Sequence, residues 1–474
     1  MTLRRLPANT LYRLVATPLV LWLAWQLGTY AGRSGITYVE VIIGALTIAG
    51  IIIMGKGHAG IRFGYFAWIL TLALGYRTAQ LGPILRLHPL VILITALFLM
   101  LLIHKLGEER GSIRIFIPRW LWVFIFFIGW GFVSAFARGL NMEYVLTVVM
   151  SVGVIVPIVI LTYHVIVTDG DWARVVHFYY ILGGIIAAFG LLEFFVPGIR
   201  NVLPGFIAGG NTGIDQFGFA RASFIFFGSP VATFICGMAL PFVLFLYPRA
   251  TTATARLAVL GAAVAMVAAI YIGGYRSLWL TLALVFLAVF ALRRDFTRLA
   301  LLLLVFAVVY AVTPQAGRDR FSSIISAAEG DFVDSSAVNR AARINGVIRT
   351  AVSNPLGVGL SGSGWAHSDV LQITTDTGWL GGIAFSLWFL HSLYRLIRLY
   401  LQRRAPLDEA LLASMFVIMS IFIFQTVMVL PQLSAPAWLI WALVEVRLER
   451  VRMAETVQQP QPLQQFMRPQ HFAR

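Results

Sequence analysis

His367 is the side chain of this sequence best suited to proton transfer, because imidazole titrates close to neutral pH. A glycine-rich segment, residues 361–364, precedes it, and the carboxylates of Asp369 and Asp376 follow it in the same predicted helix. Asp369 is the nearer of the two in the chain, but either carboxylate could orient the imidazole. We therefore predict that His367 acts as a base, with Asp369 or Asp376 as its partner.

Four arginines, Arg221, Arg276, Arg340 and Arg343, could bind an anion beside this histidine. The planar guanidinium group presents paired N–H donors that match phosphate oxygens. Arg276 stands in a very short hairpin between two apolar runs, a costly place for a charge unless it faces a cavity or a partner. Arg340 and Arg343 lie in the one long hydrophilic stretch, residues 314–369, and Arg343 is an alternative to Arg340. These positions predict a diphosphate site.

A metal is not part of the predicted site. Glu193 is a further candidate, since an acidic residue inside an apolar run marks a functional site by default. No cluster of acidic residues near the arginines resembles a metal site in the sequence, so we predict neither a metal nor another cofactor. Cys236 is the single cysteine, which excludes an internal disulfide or a Cys-x-x-Cys metal site.

The elements that carry these residues are predicted to cross a membrane. Hydrophobic residues make up 59% of the 474 positions and charged residues 12%, which is about half of the charged share in a soluble domain. Many apolar runs approach the ~20 residues that span a bilayer. We predict an all-α, polytopic transmembrane helical bundle of 12–14 spans. The candidate spans are approximately 11–30, 38–54, 61–76, 89–104, 119–137, 143–167, 174–197, 226–247, 256–274, 277–292, 298–313, 370–394, 410–430 and 435–446.

Lysine and arginine set the predicted orientation, because they concentrate in cytoplasmic loops. Placing both chain termini in the cytoplasm makes every inside segment basic, which accounts for most of the net charge of +16. Nucleic acid is not expected as a partner, since the basic residues lie mostly in short loops between spans. His367 and the four arginines then face the outer side. Other outward arginines, which we interpret as interfacial anchors, are Arg33, Arg77, Arg86 and Arg138.

The long outward loop has predicted internal order. Apolar residues recur at helical spacing from Val338 to Val352, which predicts an amphipathic helix at the outer membrane interface. A helix stop and a glycine turn follow at residues 354–359, before the chain re-enters the membrane. At the other end, the Gln- and Pro-rich segment 453–474 is predicted to be a disordered cytoplasmic tail.

Three segments together resemble the O-antigen ligase/polymerase superfamily of bacterial membrane glycosyltransferases. The most specific comprises Arg340, Pro355-Leu356-Gly357-Val358-Gly359, His367-Ser368-Asp369-Val370-Leu371-Gln372 and Thr377-Gly378-Trp379-Leu380-Gly381, in which Ser368 replaces the common Asn. The second is Tyr275-Arg276-Ser277-Leu278-Trp279, in which Tyr275 replaces the family's Ser. The third, weak by itself, is Arg221-Ala222-Ser223-Phe224 followed by Ser229-Pro230. The resemblance covers roughly residues 170–450.

The resemblance implies a helical membrane fold of the GT-C-like kind and metal-independent glycosyl transfer at the periplasmic face of the bacterial inner membrane. The donor would be a glycan on undecaprenyl diphosphate, and the acceptor a second glycan or a lipid-linked one, both presented among membrane lipids. On this view residues 170–452 form the catalytic region, with 314–369 as its periplasmic loop and 1–169 as additional N-terminal helices. The choice between polymerase and ligase stays open, as do the sugar, the linkage and the acceptor.

A transporter or flippase of lipid-linked oligosaccharide is the main alternative, because 12–14 spans suit that class too. Transporters often show internal repeats and paired broken helices, and the sequence shows no clear repeat of one half in the other. A third possibility, a non-catalytic membrane scaffold, leaves the position of Arg276 unexplained.

Overall fold

The structure of the protein is a computed structural model. The residues that it describes are 58–72, 79–81, 85–87, 89–108, 117–196, 229–297, 300, 311, 315, 318–319, 322, 335–363, 366–427 and 431–458. The predicted spans 11–30 and 38–54, most of 298–313, the candidate Arg221 and the tail from residue 459 lie outside the described residues.

Helices make up nearly all of the described chain, and we number them in order. They are α1 (His58–Thr71), α2 (Pro89–Glu108), α3 (Arg119–Ala137), α4 (Met142–Gly153), α5 (Ile155–Val165), α6 (Asp169–Phe195), α7 (Ser229–Ala239), α8 (Val243–Leu246), α9 (Ala253–Gly273), α10 (Arg276–Arg293), α11 (Ser335–Ser353), α12 (Asp369–Thr377), α13 (Trp379–Arg403), α14 (Pro406–Phe424) and α15 (Pro431–Gln458). Within the described ranges, strand is limited to one antiparallel hairpin, β1 (Ala79–Leu81) with β2 (Leu85–Leu87).

Eight segments of the described chain are long and apolar enough to cross a membrane, which confirms a polytopic helical bundle. They are α3, α4 with α5, α6, α7 with α8, α9, α10, α13 and α14. Most predicted spans lie within a few residues of an observed one, because a long apolar run leaves little choice of position. The predicted span 370–394 is wrong as a single helix, since Gly378 separates α12 from α13.

One long buried stretch lies in α15, whose residues from Ala437 to Val444 are all fully buried. It packs against the break between α4 and α5. There the hydroxyl of Ser434 and the indole N–H of Trp438 both donate to the carbonyl oxygen of Ser151, at 2.9 and 3.2 Å. A proline near the start of α5, Pro157, lacks the N–H that would continue the helix ladder. The break within this apolar span therefore becomes a polar attachment point for α15.

Buried carboxylates at the predicted cytoplasmic end of the bundle are paired with arginines from other helices. The pairs are Arg62–Asp171, Arg293–Glu409 and Arg447–Asp408. The carboxylates stand in the first turns of α6 and α14, where the helix dipole also favours negative charge. Because a buried charge without a counter-charge is strongly destabilising, these pairs hold α1, α10 and α15 against the ends of α6 and α14.

The tail prediction is wrong at its start, because α15 continues to Gln458 and so includes the first residues of the segment 453–474. Ion pairs explain the extension. Arg452 pairs with Glu449 at 2.6 Å on α15, and Arg403 at the end of α13 pairs with Glu455 at 3.7 Å. The last helical turns therefore have polar partners that hydropathy alone does not reveal.

Candidate functional site

A helix break at Gly378 organises the candidate site. The helix before it, α12, has nine residues and is too short to cross a bilayer, and α13 begins directly after it at Trp379. Gly378 has φ +87° and ψ 172°, and a Cβ added there would lie 2.6 Å from the carbonyl oxygen of Pro355. Only glycine tolerates both conditions. The sequence therefore cannot form one continuous helix here.

The turn at residues 355–359 caps the C-terminal end of α12. The N–H of Val358 donates to the carbonyl of Thr375 at 2.9 Å, and the N–H of Gly359 donates to the carbonyl of Asp376 at 3.0 Å. Carbonyls in the last turn of a helix have no intrahelical partner. The turn therefore satisfies the carbonyls that the helix break exposes.

The C-terminal end of α3 supports the same turn. The indole N–H of Trp130 donates to the carbonyl of Leu356 at 3.0 Å, and the guanidinium of Arg138 donates to the carbonyl of Gly357 at 3.1 Å. From the sequence we interpreted Arg138 as an interfacial anchor, and this contact instead gives it a place in the scaffold of the site. In the sequence, the one signal for such a role was the predicted outward position of Arg138, where arginine is scarce.

Asp376 lies beneath the glycine-rich loop that leads to His367, and it is buried. Its carboxylate accepts hydrogen bonds from the N–H of Ser361 at 3.1 Å, from the hydroxyl of Ser363 at 2.6 Å and from Nε2 of Gln372 at 2.9 Å. Burial raises the pKa of Asp376 to about 6, against the opposing effect of these hydrogen bonds. The contacts of Asp376 thus fix the loop before the histidine.

Gln372 completes this network, and our sequence reasoning did not select it. Its Oε1 accepts from the N–H of Ala366 at 3.0 Å, while its Nε2 donates to the hydroxyl of Ser363 at 2.6 Å and to Asp376. The residue directly before His367 is thereby attached to α12. The quoted resemblance motif contains this glutamine, so a signal for it was present.

Asp369 fixes the chain on the other side of His367. Its two carboxylate oxygens accept from the N–H of Val427 at 2.9 and 3.0 Å, and its own N–H donates to the carbonyl of Gln425 at 3.1 Å. The side chain of Ser368 caps the N-terminus of α12. The start of α12 is therefore bound to the segment that follows α14.

His367 stands between these two attachments, half-buried, with φ +55°. This left-handed conformation is uncommon for a residue with a Cβ and persists where the surrounding structure enforces it. Burial, followed by the positive charges of Arg340 and Arg343, lowers the pKa of His367. The structure thus brings His367, Arg340 and Arg343 into one electrostatic environment at the start of α12.

The two arginines are carried by α11, which has the amphipathic character predicted for this loop. Val347 and Ala351 are buried, while Arg349 is exposed on the opposite side of the helix; Arg343, one turn before Val347, is also exposed. The indole N–H of Trp379 donates to the carbonyl of Ala351 at 2.8 Å, which attaches the end of α11 to the start of α13. The arginines are therefore positioned by the same helix break that positions His367.

Arg276 is positioned by different elements. It is the first residue of α10 and is half-buried, directly after Gly274 in the left-handed conformation (φ 72°) and Tyr275. The predicted tight hairpin is thus present, and Gly273 approaches Thr233 of α7 so closely that a Cβ would meet its side chain. Glu193 is buried in the last turn of α6.

The last turn of α6 and the α9–α10 hairpin lie at the same end of the bundle. α6 packs on α9. The hydroxyl of Tyr180 on α6 donates to the carbonyl of Val259 on α9 at 2.7 Å, and Gly183 on α6 faces Met266 on α9. Following both helices from these contacts leads to Glu193 on α6 and to Arg276 after α9. The candidate residues therefore fall into two groups: His367 with the α11 arginines, and Arg276 with Glu193.

An apolar cavity of about 220 Å³ lies beside α12, between α3, α4 and α13. Phe124, Phe127 and Phe385 contribute to its wall, and Gln372 and Asp376 border it. The cavity therefore joins the polar network under the loop to the apolar interior of the bundle.

Stacked tryptophans border the same cavity deeper in the bundle. The ring centroids of Trp120 and Trp388 are 3.8 Å apart, and those of Trp388 and Trp441 are 3.6 Å apart. The buried carboxylate of Glu445 accepts from Nε1 of Trp120 at 3.2 Å and from the hydroxyl of Ser392. This wall of the cavity is thus rigid and held by α15.

Groups of three or more His, Cys, Asp or Glu side chains that could hold a metal do not occur among the described residues. Comparison of the chain with protein-family models, with curated proteins and with solved structures gives no match. What the chain does must therefore be argued from the site itself and from the motifs quoted above.

Proposed function

We propose that this protein is a membrane glycosyltransferase that moves a glycan from a lipid diphosphate to an acceptor hydroxyl, at the outer face of a bacterial inner membrane. The observation that carries the proposal is His367 at the start of a broken helix, with its pKa lowered by burial and by the charges of Arg340 and Arg343. A glycan on undecaprenyl diphosphate, used by an O-antigen ligase or polymerase, fits the motifs that these residues belong to.

The leaving diphosphate needs positive partners, because negative charge develops on it as the glycosidic bond to the phosphate breaks. Arg340 and Arg343 supply fixed cationic donors. The N-terminus of α12 adds the partial positive charge of the helix dipole, as half-helices do in membrane binding sites. Arg276 is our candidate for a further contact to the anion, and Arg221 and Glu193 stay candidates from the sequence.

The acceptor hydroxyl needs a base, and a neutral imidazole can accept its proton. The lowered pKa of His367 keeps the ring neutral near pH 7 before the donor binds. A bound diphosphate would then offset the charges of Arg340 and Arg343 and make the ring a better proton acceptor. Attack of the hydroxyl oxygen on the anomeric carbon, opposite the leaving phosphate, would invert that carbon. The proton ends on His367 and the electron pair leaves with the diphosphate.

The apolar cavity under the loop supports a lipid-linked substrate. Its aromatic wall lies among membrane-spanning helices, and its border includes Asp376 and Gln372 of the network before His367. Part of a polyprenyl chain could lie in this cavity while the diphosphate contacts the arginines.

The test is glycan transfer in proteoliposomes that contain a synthetic polyprenyl-diphosphate oligosaccharide and a glycan acceptor. We expect His367→Ala, Arg340→Ala and Arg276→Ala to lose transfer by about a hundredfold or more, as removal of a catalytic base or charge partner does. Arg349→Ala, an exposed arginine on α11, is the matched control and should retain transfer. Normal transfer by well-folded His367→Ala protein would refute the assignment.

A transporter of the same lipid is the alternative, and the break between α12 and α13 favours it, because transporters use broken helices to bind charged substrates. The same proteoliposomes separate the two functions. Movement of labelled lipid-linked glycan between leaflets, with no new glycosidic bond when the acceptor is present, would support a flippase.

A further inference from the structure

The backbone of His367 needs support that the histidine itself does not supply. A non-glycine residue at φ +55° lies in a sparsely populated region, and strain of this kind persists when neighbouring contacts determine it. The segment before it, residues 361–366, contains two glycines, and its described residues, 361–363 and 366, belong to no helix or strand. Whatever fixes this segment therefore fixes the direction of the imidazole.

Gln372 provides contacts that few side chains could replace. It is buried, and it accepts from the N–H of Ala366 while donating to the hydroxyl of Ser363 and to the carboxylate of Asp376. These contacts need an acceptor and a donor on one planar group, which among side chains of this length is the amide of glutamine. A carboxylate of the same shape would have no proton to donate, and leucine would have neither function.

We propose that Gln372 is a positioning residue for His367: with Asp376 it clamps Ser361, Ser363 and Ala366 onto α12 and so sets the left-handed backbone of the histidine. The inference rests on the proposed role of His367 for its effect on transfer. Its structural part, that the amide controls the environment of the imidazole, stands without any activity.

The clamp can be broken without unfolding the helix that carries it. α12 keeps the cap from Ser368, the attachment of Asp369 to Val427, and the turn that covers its C-terminal carbonyls. Loss of the Gln372 amide should therefore release the loop and leave the bundle in place. A purely structural role would instead show as lower thermal stability with an unchanged histidine.

The first experiment measures His367 directly, by its rate of modification with diethyl pyrocarbonate, read by peptide mass spectrometry on full-length protein in detergent. We expect Gln372→Leu to raise the rate by about tenfold, since it loses the three hydrogen bonds that hold Ser363, Ala366 and Asp376. Thr374→Val is the matched control on α12, because its hydroxyl bonds only to the carbonyl of Val370 in the same helix. A wild-type rate in folded Gln372→Leu would overturn the proposal.

Gln372→Glu gives a sharper test. Two carboxyl groups side by side share one proton at low pH, and that proton restores the missing donation to Asp376. When the pH rises the proton leaves, and the two like charges on α12 repel each other, so that positions 372 and 376 can no longer hold Ser363 between them. The quantity to compare is the rate of His367 modification in the variant divided by the wild-type rate at the same pH. This ratio should be close to one near pH 5.5 and should approach the ratio for Gln372→Leu near pH 8. A ratio that does not change with pH would contradict the clamp.

Transfer assays then separate this proposal from the proposed function. If wild-type protein transfers glycan, Gln372→Leu should lower kcat with little change in KM, because the donor site on α11 is intact. If wild-type protein transfers nothing, the proposed function fails, while the modification rates still decide whether Gln372 positions His367. Equal losses in kcat and in the folded fraction would show a structural role and overturn the clamp.

Discussion

The charges around His367 come from another helix, and this arrangement makes its basicity adjustable. Arg340 and Arg343 stand on α11, while the histidine begins the turn into α12, so the pKa of the imidazole depends on how the two elements lie together. Residues with lowered or raised pKa values at one place are typical of functional sites. Asp376, with its raised pKa, adds a second group of this kind within the same network.

Replacing Arg343 should make His367 easier to protonate. Arg343→Gln removes one of the two positive charges that lower the pKa of His367, so that pKa should rise toward its ordinary value. The pH dependence of diethyl pyrocarbonate modification measures it. Arg349→Gln removes an exposed charge from the same helix and should leave the midpoint of this pH dependence unchanged. Equal midpoints in wild type and Arg343→Gln would contradict the proposed electrostatic environment.

Asp376 should make stability depend on pH in a defined direction. Because burial raises its folded-state pKa from 3.8 to about 6, the folded protein holds this proton more tightly than the unfolded chain does. Its contribution is complete below pH 3.8 and is lost as the pH rises through about 6. Wild type should therefore lose thermal stability relative to Asp376→Asn as the pH rises from 4.5 to 7.5, measured as the difference between their thermal midpoints. A difference that stays constant over that range would show that Asp376 does not titrate there.

The helix break between α12 and α13 is the element that assembles the site. It depends on contacts between segments that are separate in sequence: the turn at residues 355–359, the C-terminal end of α3, and α12 itself. The turn supplies donors to carbonyls of α12 that a continuous helix would have satisfied alone, and α3 supplies donors to carbonyls of the turn. A span predicted from hydropathy as one helix becomes a half-helix because glycine at Gly378 and the turn act together.

Gly378→Ala should destabilise the protein. The position has φ +87° with extended ψ, a region reserved for glycine, and the added Cβ would meet the carbonyl of Pro355. A cost of about 1–3 kcal/mol is typical of such backbone strain. Gly346→Ala on α11 is the control, since nothing lies within 4 Å of its Cβ position, and it should be neutral or slightly stabilising. The thermal midpoints of both variants in detergent measure this difference. Equal midpoints would refute this account of the break.

At the scale of the whole molecule, hydropathy predicted the helical bundle well. Runs of about 20 apolar residues identify spans by a one-dimensional physical requirement, and the observed α3, α6, α9, α10 and α14 follow it. The same measure missed the break at Gly378, because the break is stabilised by distant partners. Arg340, Arg343 and His367 could be selected from position and type, whereas Gln372 and Arg138 are defined by hydrogen bonds that a single sequence does not display.

The buried ion pairs at the other end of the bundle should be required for its stability. Arg447→Met leaves the fully buried Asp408 without the guanidinium that contacts it at 2.7 Å, and breaking a buried pair on one side costs about 3–5 kcal/mol. Arg452→Met, on the same helix, removes an exposed partner of Glu449 and should change stability by less than about 1 kcal/mol. Equal thermal midpoints for the two variants would argue against these pairs as links between helices.

The two attachments of His367 differ in when they can form during biosynthesis. Gln372 reaches Ala366 across six positions, and the turn meets α12 within the same stretch of chain, so this side can assemble as soon as α13 has been made. The bond from Val427 to Asp369 spans 58 positions and must wait until α14 has been inserted and its far end has emerged. During most of its insertion, a nascent chain therefore holds His367 by one of the two attachments. The proposed base reaches its final position only when α14, the penultimate described helix, has crossed the membrane.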